Sequence, residues 1–272
     1  MTRNNKEVDE VKTQNVTKRS PFISMITGEK KSQLESEVIY DTDTQIKQTQ
    51  DRFWKALKRR YQYDSNIEPG QNFLKKHVNS KIPLVILYVD LVGSTNLSMT
   101  IPVDKLVTII RAFTYEMSST VYRYGGFVLK YVGDAVIAFF PSLSNKFVVC
   151  DRAVRCGISM LAIIKNGLNP ILNQYDYPDL SAKIGIDEGE NIIVQYGHDQ
   201  NSPLDILSYC MSVSAKMTSL TGPNKITVGN NVYKLLHHTL RLKFHKMKII
   251  KETGWKYIDL ENNLPYQVYI TA

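Results

Sequence analysis

Cysteine and long apolar runs are scarce in this chain of 272 residues. Its three cysteines, Cys150, Cys156 and Cys210, are odd in number and lack the spacing of a metal site. That pattern argues against a disulfide scaffold or a zinc ribbon and favours the reducing cytoplasm. The longest wholly apolar stretch, residues 82–89, is far shorter than the roughly 20 residues that a membrane helix needs. The first ten residues contain no apolar signal core, so no transmembrane segment is predicted.

Apolar content and positive charge are both ample. Hydrophobic residues make up 43% of the chain, enough for one large domain with an extension. Lysine and arginine number 34 against 26 aspartates and glutamates, which gives a net charge of +8. This excess favours an anionic partner, whether a nucleotide, a nucleic acid or a membrane surface, and does not distinguish among them.

The first 80 residues differ in character from the rest. Residues 1–40 are polar, mixed in charge and poor in large apolar side chains, which predicts a disordered tail. Residues 41–80 are predicted to form an amphipathic basic helix, over 43–63, and a connector; Glu68-Pro69-Gly70 is predicted to break the helical pattern. We expect this helix to dock on the following domain or to pair with another chain, and the alternative is an arm that binds nucleic acid or a membrane.

Residues 81–272 alternate between strand and helix patterns. The predicted helices cover 102–124, 145–168, 206–220 and 230–237. The predicted strands cover 84–90, a hairpin on either side of Gly133, 182–187 and 225–228, with edge strands within 240–249 and 255–270. The order βαββαβ, followed by further α and β elements, predicts an α+β fold. Its ferredoxin-like core is extended to a larger sheet with helices mainly on one face.

Two apolar runs that each end on an aspartate organise this domain. The runs 84–90 and 127–134 are short and rich in β-branched residues, as is typical of buried strands. A carboxylate at the end of a buried strand is costly without a partner, so Asp90 and Asp134 are predicted to share a cation. Carboxylate oxygens suit hard cations such as Mg²⁺, which also take phosphate oxygens as ligands. Each motif alone has a plain alternative, a capped turn or a hairpin turn, and it is their combination that favours a metal site.

A phosphate-binding turn is predicted directly after the first aspartate. Gly93, Ser94 and Thr95 follow the first strand, and Ser94 or Thr95 can start a short helix. The free N–H groups at that helix start would face a triphosphate.

These motifs resemble the catalytic domain of class III nucleotidyl cyclases. Asp90-Leu91-Val92-Gly93-Ser94-Thr95 and Lys130-Tyr131-Val132-Gly133-Asp134 carry the resemblance, which covers about residues 80–270. Gly125-Gly126 before the second strand supports it, as does the run 184–190. That run is similar to the family's Gly-Ile-His-x-Gly-Glu strand, with Asp187 where histidine is usual.

The resemblance implies a two-metal reaction. Asp90, Asp134 and the backbone carbonyl of Leu91 would hold two Mg²⁺ or Mn²⁺ ions. One ion would activate the ribose 3′-hydroxyl and the other would bind the triphosphate. The hydroxyl attacks the α-phosphorus and pyrophosphate leaves. Two-metal sites stabilise both the attacking and the leaving oxygen, which agrees with the prediction from the carboxylates themselves.

The resemblance also implies how the base is selected. Lys130 and Asp205 stand at the two base-selecting positions, which the family places on the partner subunit. Adenylyl cyclases have Lys and Asp there, because lysine donates to adenine N1 and aspartate accepts from the N6 amino group. The alternatives are a solvated strand residue for Lys130 and a helix cap for Asp205. Together the two residues favour ATP.

Two positions depart from the family. Where the family has an Asn that orients the ribose and an Arg that neutralises the transition-state phosphate, this chain has Ser212 and Lys216. The two lie one helical turn apart, so they can point the same way. Lysine keeps the charge without the planar fork, and serine is shorter than asparagine. The chain is therefore a slow cyclase, or it recruits Asn201, Ser214 or another basic side chain, and the loop 197–203 is the first place to look.

The sequence thus predicts a cytoplasmic, homodimeric adenylyl cyclase with its sites at the subunit interface and no nucleic-acid partner. Each chain has both the metal aspartates and the base-selecting pair, so a symmetric dimer can build two complete sites. The first alternative is a cyclase for another base, GTP or a pyrimidine nucleotide. The second is a weakened cyclase-like domain that binds nucleotide and regulates a partner, for which Ser212 and Lys216 would be ordinary solvent-facing positions.

Overall fold

The computed structural model describes residues 41–64, 67–197, 199, 202–248 and 254–272. The predicted tail, residues 1–40, lies outside these ranges, and so does Asn201. No helix in the described ranges is long and apolar enough to cross a membrane.

The described elements follow the predicted α+β order. The helices are α1 Thr42–Leu57, α2 Glu68–Lys75, α3 Ser94–Thr100, α4 Val103–Arg123, α5 Lys146–Ile163, α6 Asn169–Asn173, α7 Tyr209–Leu220, α8 Asn230–Leu235 and α9 His238–Arg241, with a π-helical turn Ile164–Leu168 between α5 and α6. The strands are β1 Lys81–Leu91, β2 Phe127–Val132, β3 Ala135–Pro141, β4 Ala182–Gln195, β5 Leu204–Leu207, β6 Lys225–Gly229, β7 Phe244–Lys246 and β8 Val268–Thr271.

The described strands form one mixed sheet with β1 and β4 at its centre. Its order is β2-β3-β1-β4-β6-β8-β7, and β5 pairs with β4 off this path. Strand β1 runs antiparallel to both β3 and β4, and β4 runs parallel to β6. The predicted α+β fold is confirmed.

Side chains on the two faces of β1 pack into two different hydrophobic cores. Val85, Leu87 and Val89 join a large cluster with α4 and α5, so most of the helical length lies on one face, as predicted. Leu84 and Ile86 join a smaller cluster that contains side chains from α2, β5 and α7. Because side chains alternate along a strand, Asp90 is in phase with this second set. The site described below is built on that face.

Glycines let helix α7 lie close against β4. A Cβ at Gly185 would clash with the Thr218 hydroxyl and lie 2.5 Å from the Ser214 carbonyl oxygen. A Cβ at Gly189 would lie 3.2 Å from the Cys210 Cβ. The close approach fixes α7 over the strand, and with it the positions of Ser212 and Lys216.

Helix α1 docks on α4 through a buried polar network. The Arg52 Nη2 lies 2.6 Å from the Glu116 Oε2, and the Thr49 hydroxyl donates to the same oxygen over 2.7 Å. Glu116 is fully buried, so these partners offset the cost of desolvating its carboxylate. The Gln45 Nε2 donates to the Thr120 hydroxyl over 2.8 Å one turn further along α4. The helix ends at Leu57, earlier than the predicted Tyr63.

Several predicted boundaries were wrong. Glu68-Pro69-Gly70 begins α2 and does not interrupt a helix, since proline suits the first turn. Strand β4 continues to Gln195, and the predicted helix 145–168 ends in the π-helical turn. In the C-terminal region the strands are only β7 and β8 within the described ranges, and β8 lies inside the sheet between β6 and β7.

The most consequential error concerns residues 204–208. The predicted helix from Ile206 begins only at Tyr209, because the Ser208 side chain caps it by accepting from the Met211 N–H over 2.9 Å. Residues 204–207 form β5. Asp205 therefore lies on a strand, and its alternative role as a helix cap is excluded.

Candidate active site

Asp90 lies at the end of β1, where the strand leaves the core. It is half-buried and pairs in register with Lys183 of β4. Burial, followed by the negative charge of Asp134, raises the pKa of the Asp90 carboxyl, while Lys183 and the Leu91 backbone N–H act in the opposite direction. A raised pKa from a like charge means that the two carboxylates lie close enough to repel each other.

The turn between β2 and β3 brings Asp134 close to Asp90. Gly133 adopts φ 62°, which is accessible mainly to glycine, and allows the chain to reverse within two residues. The Asp134 Oδ2 is buried and has no hydrogen-bond partner within the described ranges. A buried oxygen of this kind is costly unless something absent from the polypeptide binds it.

The two carboxylates fit a hard divalent cation. One has an unpartnered buried oxygen and the other is destabilised by its neighbour, and a cation between them would offset both costs. Within the described part of the chain there is no group of three or more His, Cys, Asp or Glu side chains that could hold a metal ion. The carboxylates would therefore need further oxygen ligands, for which the Leu91 carbonyl and substrate phosphates are the candidates.

The segment after β1 forms a turn and a short helix. Gly93 adopts φ 72° at the N-cap of α3, and the helix begins at Ser94 as predicted. The first turn has no side-chain cap. A Cβ at Gly93 would meet nothing within 4 Å, so the space beside the turn is open.

Lys130 and Asp205 form an ion pair within one chain. The Lys130 Nζ donates to the Asp205 Oδ2, with the lysine side chain 39% exposed and the aspartate side chain 18% exposed. Tyr88 of β1 lies near this pair. Burial, followed by the charge of Asp205, raises the pKa of the Tyr88 hydroxyl to about 12. The fold thus brings together two residues that lie far apart in the sequence.

Ser212 and Lys216 lie on α7 one turn apart. Ser212 is exposed, and its backbone carbonyl accepts from the Tyr257 hydroxyl over 3.0 Å. Lys216 is half-buried, with its Nζ 3.9 Å from where a Cβ at Gly254 would lie. The segment 254–266 covers this side of α7: Trp255, Tyr257 and Tyr266 pack against Val213 and Met217.

Sequence reasoning missed Lys183. It faces the same side of the sheet as Asp90, because directly paired residues of antiparallel strands share a face. The side chain is half-buried, and its charge lowers the pKa of Asp90. The run Lys183-Ile184-Gly185 gave a strand signal, but only the β1–β4 register shows that this lysine stands beside Asp90.

Comparison with known proteins identifies the family of this chain. The model for the adenylate and guanylate cyclase catalytic domain matches residues 77–260. The chain belongs to this family. The adenylyl cyclase CyaB from P. aeruginosa has the same fold, with a TM-score of 0.57 and 21% identity, over 71% of this chain and 95% of that one.

Two relatives of this chain are named for pyrimidine bases. It is 27% identical over 186 residues to a cytidylate cyclase of Staphylococcus aureus, covering 65% of this chain and 44% of the relative. It is 26% identical over 168 residues to a uridylate cyclase of Burkholderia cepacia, covering 61% of this chain and 71% of the relative. The chain thus spans less than half the length of the Staphylococcus aureus relative.

Proposed function

We propose that this protein is a metal-dependent nucleotidyl cyclase that converts ATP or CTP into a 3′,5′-cyclic nucleotide and pyrophosphate. The observation that carries the proposal is the juxtaposition of Asp90 and Asp134, two half-buried carboxylates that repel each other and leave one oxygen without a partner in the described ranges. On the Watson–Crick edge, adenine and cytosine are the bases that present an amino group beside a ring acceptor, so ATP and CTP are the candidate substrates.

The carboxylates would hold two divalent ions, Mg²⁺ or Mn²⁺, together with the Leu91 carbonyl. Bound there, the ions would supply Lewis-acid stabilisation of the attacking 3′-oxygen and of the departing phosphates. Lys183 stands opposite Asp90 and provides a fixed positive charge toward the triphosphate. The turn at Gly93, Ser94 and Thr95 offers backbone N–H groups without a side-chain cap for the same phosphates.

The ion pair of Lys130 and Asp205 reads the base. With lysine toward the ring nitrogen and aspartate toward the exocyclic group, as the family resemblance implies, the pair donates to an acceptor and accepts from an amino group. Adenine presents this pattern at N1 and N6, and cytosine presents it at N3 and N4. Guanine and uracil present an N–H and a carbonyl at the corresponding places. The proposed pair therefore favours ATP and CTP over GTP and UTP.

The names of the relatives favour CTP as a second candidate beside ATP. The Staphylococcus aureus relative is named a cytidylate cyclase, and cytosine satisfies the same donor and acceptor as adenine. The Burkholderia cepacia relative is named a uridylate cyclase, and uracil has the opposite pattern of hydrogen-bond donor and acceptor. Donor and acceptor chemistry therefore supports both ATP and CTP as substrates.

A four-base assay tests this proposal. Purified protein is incubated with ATP, GTP, CTP or UTP in the presence of Mn²⁺, and the products are identified by mass. We expect a cyclic product from ATP or CTP at a rate at least about tenfold above GTP and UTP, since one misdirected buried hydrogen bond costs about 1–3 kcal/mol. Asp134→Asn protein, prepared in parallel, controls for contaminating cyclases. GTP or UTP as the best substrate would contradict the role given to Lys130 and Asp205.

A nucleotide-binding domain with weakened catalysis is the second candidate function. Ser212 and Lys216 favour it, because a serine and a lysine replace the oriented amide and the bidentate guanidinium of the family. Loss of one oriented transition-state donor costs about 10²–10³ in rate.

Restoring those two side chains is therefore expected to raise kcat. In the double variant Ser212→Asn with Lys216→Arg, kcat should increase at least about tenfold with KM nearly unchanged, because the new contacts form only in the transition state. Steady-state kinetics on the best substrate provide the measurement. Ser219→Asn with Lys243→Arg, at two exposed positions, serves as the matched control. A kcat that stays constant in the well-folded double variant would place the catalytic donors elsewhere.

A further inference from the structure

Asp187 is a buried carboxyl that no step above uses. It lies on β4 between Gly185 and Gly189, under helix α7, and is 1% exposed. The Tyr266 hydroxyl donates to its Oδ1 over 2.9 Å. A Cβ at Gly229 of β6 would clash with the carboxyl group, so the neighbouring strand is shaped around it.

Tyr266 connects this carboxyl to the segment that covers α7. Tyr266 packs with Val213 and Met217 of that helix, in the same cluster as Trp255 and Tyr257. Its hydroxyl also accepts from the Asn231 N–H over 3.0 Å at the start of α8. The hydrogen bond between Asp187 and Tyr266 thus joins the sheet, α8 and the layer that holds α7 in place.

The surroundings of Asp187 favour its neutral form. The titratable groups that interact with it are Glu188 on its own strand, Cys150 on α5, Tyr209 and Cys210 on α7 and Tyr266 in the covering segment. Glu188 in turn is paired with Lys146 over 2.7 Å. No cation pairs with Asp187 itself in the described ranges. Burial raises the pKa of Asp187 to about 8, and it outweighs the hydrogen bonds from the Tyr266 hydroxyl and the Glu188 backbone N–H, which lower that pKa.

We propose that Asp187 and Tyr266 form a latch in which the neutral carboxyl positions α7, and with it Ser212 and Lys216, and that ionisation of the carboxyl loosens this arrangement. The Tyr266 hydrogen bond favours the ionised carboxyl, but the cost of burying a charge outweighs it, and that cost is relieved when the segment around Tyr266 opens to water. Asp187 is thus a positioning residue, and the inference rests on the proposed cyclase function. Its consequence is a cyclase whose turnover falls when the surroundings become alkaline.

The direction of the effect on stability follows from the two pKa values. The pKa of Asp187 in the folded protein, about 8, lies above its ordinary value of 3.8. Between these values the folded state binds a proton that the unfolded state has lost, so the free energy of unfolding falls as the pH rises through this window. The amide in the variant Asp187→Asn cannot ionise, so that variant is free of this dependence.

Two measurements independent of activity test the latch. The infrared C=O band of a protonated carboxyl should disappear with a midpoint near pH 8 in the wild type and be missing in Asp187→Asn. The unfolding temperature of Asp187→Asn relative to wild type should rise from about pH 5 to about pH 8 and then level off. The Tyr266 hydrogen bond lowers the pKa of Asp187 in the wild type. In Tyr266→Phe this bond is missing, so the infrared midpoint should move to higher pH. Tyr269→Phe is the control.

The kinetic test compares wild type with Asp187→Asn across the same pH range. The kcat of the wild type divided by that of Asp187→Asn, normalised to its value at pH 7, should fall at least about threefold by pH 9. KM should be unchanged, because only the positioning of α7 differs between the two proteins. A band that does not titrate, or a constant kcat ratio, would overturn the latch. If the wild type cyclises no nucleotide, the proposed function fails, and the infrared and unfolding data still decide whether Asp187 holds the proton.

Discussion

Asp134→Asn protein is expected to lose cyclic-nucleotide formation by about 10³-fold or more while keeping its fold, and Asp90→Asn should do the same. In the proposed function these two carboxylates supply the anionic oxygens for the metal ions, and no third acidic or histidine ligand joins them in the described ranges. The measurement is the initial rate of cyclic product formation at equal metal concentration.

The same substitution carries an expectation for stability. Asp134 raises the pKa of Asp90 by repulsion, so Asp134→Asn should lower that pKa and should not reduce the unfolding temperature of the metal-free protein. Asp104→Asn is the matched control, since it alters an exposed carboxylate whose partner is the exposed Arg59, 3.2 Å away. Near-normal turnover in either Asp90→Asn or Asp134→Asn would contradict the hypothesis that these two carboxylates bind the catalytic metal ions.

Mixing two inactive variants is expected to restore activity. If each site takes its metal aspartates from one subunit and Lys130 with Asp205 from the other, an Asp90→Ala chain and a Lys130→Ala chain together build one intact site per heterodimer. Random exchange of subunits should then recover about a quarter of the wild-type activity, because half of the dimers have one working site of two. The rate is measured after exchange, with heterodimers counted through two different affinity tags.

The control mixture combines Asp90→Ala with Asp134→Ala. Both defects then fall on the metal half of each site, so no recovery is expected. An equal lack of recovery in the Asp90→Ala and Lys130→Ala mixture, with heterodimers demonstrated, would show that one chain builds the whole site.

The sequence predicted those strands and helices that have strong local patterns. The apolar runs before Asp90 and Asp134 gave the strands and the hairpin, because buried strands and a glycine turn have strong local signatures. Helix α4 agrees with its prediction within one residue at either end, since Pro102 and Gly125 mark its limits. The family resemblance supplied candidates for the metal, base and phosphate positions.

Other features depend on contacts between distant residues. Ile206 and Leu207 of strand β5 were predicted as the start of a helix, because the strand's four residues carry no alternation long enough to outweigh the helical pattern that follows. Lys183 became a candidate only through the register that places it opposite Asp90. Asp187 was noticed as a departure from the family's histidine, but its burial and its bond to Tyr266 depend on a residue 79 positions away.

The binding of Mn²⁺ tests the central claim, that Asp90 and Asp134 hold the catalytic metals, most directly. Electron paramagnetic resonance would count the bound ions in the presence of a 3′-deoxy nucleoside triphosphate, which cannot cyclise. We expect two ions per site, magnetically coupled because two-metal sites hold their ions about 3.5–4 Å apart, and no coupled pair in Asp134→Asn. The same coupled signal in wild type and in Asp134→Asn, or no binding beyond that of the nucleotide alone, would contradict the account.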